Sequence, residues 1–142
     1  MALVADSGAV YALYDRDDKH HKAVKAIVNR EFGPLLVPMA ILAEIDYLLR
    51  TRLGALATQR FVEGVVKGIF SLEPFTLSDA QRCQRILARY ADLDLGLADA
   101  SMIATADRLH ISQILTVDER DFRAVQTQNG KPFKLFPADA AK

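Results

Sequence analysis

The sequence predicts an α/β fold of three layers, in which a central, mainly parallel sheet of four to five strands is flanked by helices. Short apolar runs occur at residues 3–5, 35–37, 70–75, 111–117 and 133–136, and helical segments separate most of them. Strands that alternate with helices favour a parallel sheet covered on both faces. Because the first run is continuously apolar, we expect it to be a central strand.

Length and composition are those of one globular domain that spans residues 1–142. Eighteen basic residues balance eighteen acidic ones, which argues against a broad cationic field for nucleic acid but allows a local basic rim. The single cysteine, Cys83, rules out an internal disulfide and suits a reducing compartment. No apolar run approaches the length of a membrane span. We therefore expect a cytoplasmic protein with no membrane partner.

Helix signals divide the rest of the chain. Further helices are expected at residues 39–52, 55–68, 78–90 and 97–109. Before them, a charged loop enters a helix whose inner stripe we place at Ala23, Ala26, Ile27 and Phe32. A capping box is expected to begin at Ser78. The adjacent His20 and His21 point in different directions on a helix, so a solvated helix start is favoured over a metal site.

Two of the apolar strands end on a carboxylate. Asp6 follows the first strand, and Asp118 follows the run at residues 111–117. If both strands are central and parallel, both acids emerge at the carboxyl edge of the sheet, where open α/β folds place their ligands. Asp6 alone is equally consistent with a cap for the helix that begins at Ser7. Asp121 follows Asp118 by one turn and can approach the same place.

Two further acids lie on helix faces that are otherwise apolar. The i±3 and i±4 neighbours of Glu44 are all apolar or aromatic, which indicates that Glu44 points with the core-facing stripe. Asp99 has Met102 and Ile103 at i+3 and i+4. A plain helix-start acid, favoured by the macrodipole, is the alternative for Asp99. Near the end of the same helix, Asp107 is expected to be solvated.

One shared site explains these acids more economically than four separate roles, and its members are Asp6, Glu44, Asp99 and Asp118. Carboxylates that converge without compensation raise one another's pKa values, and a divalent cation removes this problem. Ligands without His or Cys favour Mg²⁺ or Mn²⁺, which suit phosphoryl chemistry. Ser7 and Thr116 are candidates to orient a ligand or a water there, or they merely satisfy the backbone.

Four segments carry these acids in order: VADSGAVYALYD, VPMAILAEIDYLL, LGLADASMIATADRL and ILTVDERDF. This ordered set resembles the PIN domain in its small single-domain form, the toxin of VapBC-type toxin–antitoxin pairs. The set is more specific than any one segment, and the match covers the whole chain. Gly8 and Met39 stand where family members often carry Ser or Thr, which affects hydrogen bonds around the site but not its carboxylates.

The resemblance implies a Mg²⁺- or Mn²⁺-dependent endoribonuclease, in which a water activated by the metal attacks the scissile phosphate. It assigns metal binding to the four acids above and places Thr116 and Asp121 beside them. It also implies a homodimer, a cognate VapB-type antitoxin that blocks the pocket, and a structured RNA substrate such as tRNA or rRNA. Basic residues near the rim are expected to steer the RNA, namely Arg50, Arg52, Arg60, Lys67, Lys19 and Lys22.

Two other classes of protein are alternatives. Another Mg²⁺-dependent phosphoryl-transfer enzyme is disfavoured, because a haloacid dehalogenase-type phosphatase needs an Asp where Gly8 stands. A response-regulator receiver needs a Lys at the end of a late strand, where this chain has Asp118. The other alternative is a non-catalytic PIN-like binding module whose acids only cap helices.

Overall fold

The computed structural model describes residues 2–30 and 33–140. Its strands are β1 (Leu3–Ala5), β2 (Leu35–Pro38), β3 (Phe70–Glu73), β4 (Gln113–Leu115) and β5 (Lys134–Phe136). They form one parallel sheet in the order β3-β2-β1-β4-β5. The predicted α/β fold with a central parallel sheet is therefore confirmed.

The α-helices of the described residues are α1 (Ser7–Tyr14), α2 (His21–Val28), α3 (Leu42–Leu53), α4 (Ala55–Val66), α5 (Leu77–Arg89), α6 (Leu97–Arg108) and α7 (Arg120–Arg123). A 3₁₀ turn, Met39–Ile41, precedes α3, so the helix expected from residue 39 begins three residues later. A second 3₁₀ turn, Ala91–Leu93, lies between α5 and α6. None of the helices in the described ranges is long and apolar enough to cross a membrane.

The core forms around β1 and α6. All three residues of β1 are fully buried, as the continuous apolar run predicts for a central strand. Helix α6 is buried along most of its length and contacts β1 and β2. Asp107, expected to be solvated, is instead buried near the end of α6, where Arg82 lies 3.4 Å away and the Gln128 backbone N–H donates to it at 3.2 Å. This prediction was wrong because both partners come from distant parts of the chain.

Two local predictions also need correction. On α2 the buried residues are Val24 and Ile27, whereas Ala23 and Ala26 are exposed; Phe32 lies outside the described residues. The capping box of α5 begins at Thr76, two residues before the expected position. The Thr76 side chain accepts from the Asp79 backbone N–H, and the Asp79 carboxylate accepts from the Thr76 N–H, both at 3.1 Å.

An ion-pair network fixes α5 against α6. Arg108, the last residue of α6, donates to Asp79 in the first turn of α5 at 2.9 Å and lies 3.3 Å from Glu73 of β3. Asp79 is buried, so its charge is compensated by protein groups rather than by water. These contacts place the end of α6 beside the start of α5, and the two helices form an antiparallel pair.

Candidate active site

A pocket of about 310 Å³ opens at the carboxyl ends of β1 and β4. The structure brings the five predicted acids to its walls, together with an acid that the sequence did not suggest, Asp18. Ala5 pairs with Leu115 in the sheet, so the residues that follow them leave neighbouring strands at the same edge. The predicted members of the pocket wall are Asp6, Glu44, Asp99, Asp118 and Asp121.

Asp6 has the most enclosed carboxylate of the set. One oxygen accepts from the Ala9 backbone N–H at 2.8 Å, which makes Asp6 the N-cap of α1, and the other accepts from the Thr116 hydroxyl. Burial is the largest cause that raises the pKa of Asp6, and with the charges of Asp99 and Asp118 it brings this pKa to about 7, against the lowering effect of the two donors. Asp6 therefore both caps α1 and contributes its carboxylate to the shared pocket.

Thr116 ties the two strand ends together. Its side chain is buried, and besides donating to Asp6 its hydroxyl accepts from the Asp118 backbone N–H at 3.1 Å. The single hydroxyl of Thr116 therefore fixes both the Asp6 side chain and the start of the segment that carries Asp118.

Glu44 reaches the pocket from α3, but not by the predicted route. The buried residues of α3 are Ile45 and Leu49, which continue from Ile41 of the preceding 3₁₀ turn, and Glu44 is exposed beside them. The neighbour Tyr47, which suggested a core-facing position, is 61% exposed. The prediction of a core-facing Glu44 was wrong because its neighbour Tyr47 lies on the surface of this helix rather than in the core. Its carboxylate accepts a hydrogen bond from the buried Ser7 hydroxyl, which holds it at the pocket wall.

Asp99 lies in the first turn of α6, where the helix dipole favours a negative charge. Burial raises its pKa, and the neighbouring charges of Asp121, Asp118 and Glu44 raise it further. Its partly buried position contrasts with that of Asp118, which is exposed at the rim. Of the predicted acids, Asp121 has an arginine nearby, with Arg120 at 3.8 Å. No other basic side chain of the described residues lies within 4 Å of these carboxylates.

The donor set fits Mg²⁺ or Mn²⁺ in its chemistry, since all candidate ligands are carboxylate oxygens. Within residues 2–30 and 33–140, however, no three His, Cys, Asp or Glu side chains are close enough together to hold one ion as they stand. Asp6 and Glu44 instead accept hydrogen bonds from the hydroxyls of Thr116 and Ser7. Binding a cation would require these side chains to move together.

Arg52 is the basic residue among those that line the pocket. Its guanidinium lies over the ring of Tyr11, 5.0 Å from the centroid, and the Tyr11 hydroxyl donates to Asp15. Tyr11 was missed from the sequence because its place in α1 marks it as core; its ring is buried while its hydroxyl faces Asp15. A positive charge is thus held at one side of an acidic pocket.

The other predicted basic residues do not line this pocket. Arg50 lies 3.7 Å from Asp46 on the surface of α3, and Lys67 pairs with Glu63. Arg60 lies beside Leu53 and Leu56 in a separate depression. Lys19 and Lys22 are exposed near Asp18 at the entrance to α2.

Comparison with known proteins assigns the family. The family model of the PIN domain matches residues 3–127. Ribonuclease VapC26 of Mycobacterium tuberculosis (strain ATCC 25618 / H37Rv) is 30% identical over 135 residues, which cover 95% of this chain and 100% of the relative.

Solved structures show the same fold at lower identity. Mycobacterium tuberculosis VapC20, a Sarcin-Ricin loop cleaving toxin, superposes with a TM-score of 0.73 at 19% identity, covering 79% of this chain and 86% of that one. FitAcB of Neisseria gonorrhoeae gives 0.69 at 17%, covering 99% and 100%. VapBC2 of Rickettsia felis, bound to a promoter DNA fragment, gives 0.68 at 10%, covering 96% and 99%. The chain belongs to the PIN domain family, as a member of the VapC type.

Proposed function

We propose that this protein is a Mg²⁺- or Mn²⁺-dependent endoribonuclease that hydrolyses RNA phosphodiester bonds in the cytoplasm. The observation that carries the proposal is the convergence of five carboxylates, from positions 6 to 121, on one pocket at the carboxyl edge of the sheet. The relative at 30% identity is a ribonuclease, which supports RNA as the substrate class. A pocket this acidic repels a phosphodiester unless positive charge enters with it.

The proposal gives the polar residues of the site three roles: binding the cation, orienting its ligands and binding a phosphate. Asp6, Glu44, Asp99 and Asp118 would hold the cation, with Asp121 at the rim. When bound, a divalent cation neutralises the charge that develops on the phosphate and makes a nearby water more acidic. Ser7 and Thr116 orient the carboxylates of Glu44 and Asp6, so these two side chains start from fixed positions. Arg52 offers a positive group to a phosphate of the entering strand.

The biological role we propose is that of a toxin in a toxin–antitoxin pair. The structural neighbour from Rickettsia felis is a VapBC assembly, and the one from Neisseria gonorrhoeae is FitAcB. A cognate VapB-type antitoxin is therefore the proposed protein partner, and a homodimer is the proposed assembly. The neighbour that cleaves the Sarcin-Ricin loop supports a structured RNA, tRNA or rRNA, as the target.

The direct test is to incubate the protein with total RNA, with Mn²⁺ and with excess EDTA. Cleavage in Mn²⁺ that stops in EDTA is the expected result. Asp6→Asn and Asp99→Asn should each abolish cleavage, whereas Asp46→Asn, an exposed acid of α3 outside the pocket, should not. Cleavage that persists in EDTA rejects the metal dependence, and full activity of both pocket variants rejects the site.

A further inference from the structure

A second charged feature lies between α5 and the segment that follows α7. Three arginines of α5, at the i, i+3 and i+7 positions, line a shallow groove of about 100 Å³ whose opposite wall is residues 126–128. We call this the arginine groove and define it by Arg82, Arg85, Arg89, Tyr90 and Gln126–Gln128. The groove shares no lining residue with the acidic pocket, and none of the basic residues predicted to steer RNA lines it.

Arg82 is held by two polar partners in the groove, whereas Arg85 and Arg89 are exposed. Arg82 lies 3.4 Å from the buried Asp107 and donates to the Gln128 side chain at 2.7 Å. Asp107 is the one carboxylate among the described residues that line the groove, and Arg82 occupies it. Arg85 and Arg89 are exposed, and no carboxylate of residues 2–30 and 33–140 forms an ion pair with either.

Tyr90 closes one end of the groove. Its hydroxyl accepts a hydrogen bond from the Gln126 backbone N–H at 3.1 Å, which joins the end of α5 to the opposite wall. The Arg89 guanidinium lies over the Tyr90 ring, 5.2 Å from its centroid. This stacking holds the cationic group in place, so less side-chain entropy is lost when a phosphate binds.

Two elements run directly from the acidic pocket to the groove. On α6, Asp99 and Met102 line the pocket, while Ile103 and Asp107 line the groove. Asp99 and Asp107 are eight residues apart, about 12 Å along the helix axis. The segment after β4 repeats this arrangement, since Phe122 lies in the pocket and Gln126 in the groove.

The direction of the groove follows from the antiparallel packing of α5 and α6. Arg82 contacts Asp107 near the end of α6, and a short connection joins Arg89 to the start of α6, where Asp99 lies. Arg89 is therefore at the end of the groove nearer the acidic pocket, and Arg82 is at the far end. The three arginines therefore form a row that leads along the groove toward the acidic pocket.

We propose that the arginine groove binds the phosphate backbone of the RNA strand that extends beyond the acidic pocket. This inference rests on the proposed ribonuclease function and adds to it the path of the substrate. A chain without net charge has no broad field to hold RNA, so local rows of unpaired cations have to supply the attraction. Arginine forks bind phosphate oxygens in bidentate geometry, and the polar wall of glutamines and Thr127 suits sugar and phosphate groups rather than an apolar partner.

The test compares two double variants of the full chain that lose the same charge. Arg85→Gln/Arg89→Gln removes the outer groove cations, and the control variant, Arg16→Gln/Lys25→Gln, removes two exposed cations before and within α2 that line neither the pocket nor the groove. Binding of a fluorescent single-stranded RNA is measured at several salt concentrations in EDTA, so that cleavage does not interfere, and initial cleavage rates are measured separately in Mn²⁺. Melting temperatures of both variants check that the fold is intact.

The groove variant should bind the long RNA about tenfold more weakly, and the slope of log affinity against log salt should fall by about 1.4, or 0.7 for each phosphate that the protein no longer neutralises. The control variant should keep the parent affinity and slope. A dinucleotide, which fills only the acidic pocket, should bind parent and groove variant alike. Arg85→Lys/Arg89→Lys should keep the salt slope, because the charge remains.

The outcomes separate the two proposals. Parent-like affinity and slope in the groove variant, or an equal loss in the control variant, overturns the groove, while cleavage by the parent leaves the nuclease function standing. A reduced slope in a protein that binds but never cleaves RNA supports the groove and rejects the nuclease. A parent that neither binds nor cleaves RNA rejects both. Loss of binding to a partner protein with RNA binding unchanged assigns the groove to that protein and overturns our proposal.

Discussion

The Thr116 hydroxyl donates a hydrogen bond to the carboxylate of Asp6, although the two residues are 110 positions apart. The pairing of Ala5 with Leu115 in neighbouring parallel strands makes this contact possible, because it brings the next residue of each strand to the same edge. The bond satisfies one oxygen of a carboxylate that is otherwise poorly solvated. Thr116 therefore sets the position of Asp6 before any ligand binds.

Replacing Thr116 with Val keeps the shape of the side chain but removes this donor. We expect Thr116→Val to lower RNA cleavage by about 10–100-fold, the usual cost of losing a group that orients a metal ligand. Thr116→Ser, which restores the hydroxyl, should recover most of the activity. Initial cleavage rates in Mn²⁺ measure both, and full activity of the Val variant would show that Thr116 only satisfies the backbone.

The raised pKa of Asp6 makes stability depend on pH in a defined direction. Its pKa rises from 3.8 to about 7 on folding, so the folded state binds the extra proton and loses stability as pH increases through this range. Asp6→Asn lacks this loss. Without metal, we expect the variant to melt above the parent at about pH 8, with the difference shrinking as pH falls to about 4. Thermal unfolding across pH measures it, with the exposed Asp46→Asn as control.

Addition of Mn²⁺ should reverse that order. A cation that binds only the folded protein raises the melting temperature by mass action, and the carboxylates of the pocket lose their mutual repulsion when it binds. We expect the parent to gain several degrees at millimolar Mn²⁺, and Asp6→Asn and Asp99→Asn to gain much less. An equal gain for all three proteins would place the cation outside the pocket. No gain for the parent would favour a non-catalytic binding module.

The sheet and the position of its acids could be predicted because both depend on local sequence. A buried apolar run that ends on an acid, as at Asp6 and Asp118, identifies a strand and the edge where it ends. Helical spacing placed Asp99 at the pocket for the same reason. Contacts between distant residues left no such mark: Asp107 is buried by Arg82 and Gln128, 25 and 21 residues away.

Helix faces were predictable only where the apolar stripe was unambiguous. Glu44 has apolar neighbours on both sides, but Ile45 is buried and Tyr47 is exposed. The apolar pattern around Glu44 therefore predicted the wrong buried face of α3. The arginine groove of α5 could not be predicted for a different reason. The spacing of its arginines is visible in the sequence, but the groove depends on residues 126–128 packing opposite them, which the spacing alone does not show.

Gly64 packs against the Phe70 ring, which leaves too little room for a larger side chain. An added Cβ would lie 2.9 Å from the Phe70 ring, which is buried and held by Phe61, with 5.1 Å between ring centroids. Alanine gains about 1 kcal/mol of helix propensity, but overpacking costs about 1–3 kcal/mol. We expect Gly64→Ala to lower the free energy of unfolding by about 1 kcal/mol in urea denaturation. Val66→Ala, at an 82% exposed position, should change it by less than about 0.5 kcal/mol.

Arg52 and Arg50 lie two residues apart on α3. Comparing variants of the two distinguishes a role of Arg52 in the pocket from a general effect of positive charge on RNA binding. Arg52 is stacked on Tyr11 inside the acidic pocket, whereas Arg50 lies near Asp46 on the surface. A fixed cation that meets a phosphate contributes to substrate binding, so Arg52→Ala should raise KM about tenfold with a smaller change in kcat.

Arg50→Ala removes the same charge from the same helix and should leave KM within about twofold of the parent value. Arg52→Lys should recover only part of the loss, because an ammonium group neither stacks as well on Tyr11 nor grips a phosphate with two donors. Steady-state cleavage of a labelled RNA at several salt concentrations measures all three variants. Equal effects of Arg52→Ala and Arg50→Ala on KM would mean that α3 attracts RNA through its overall charge, and that stacking on Tyr11 has no part in binding the substrate.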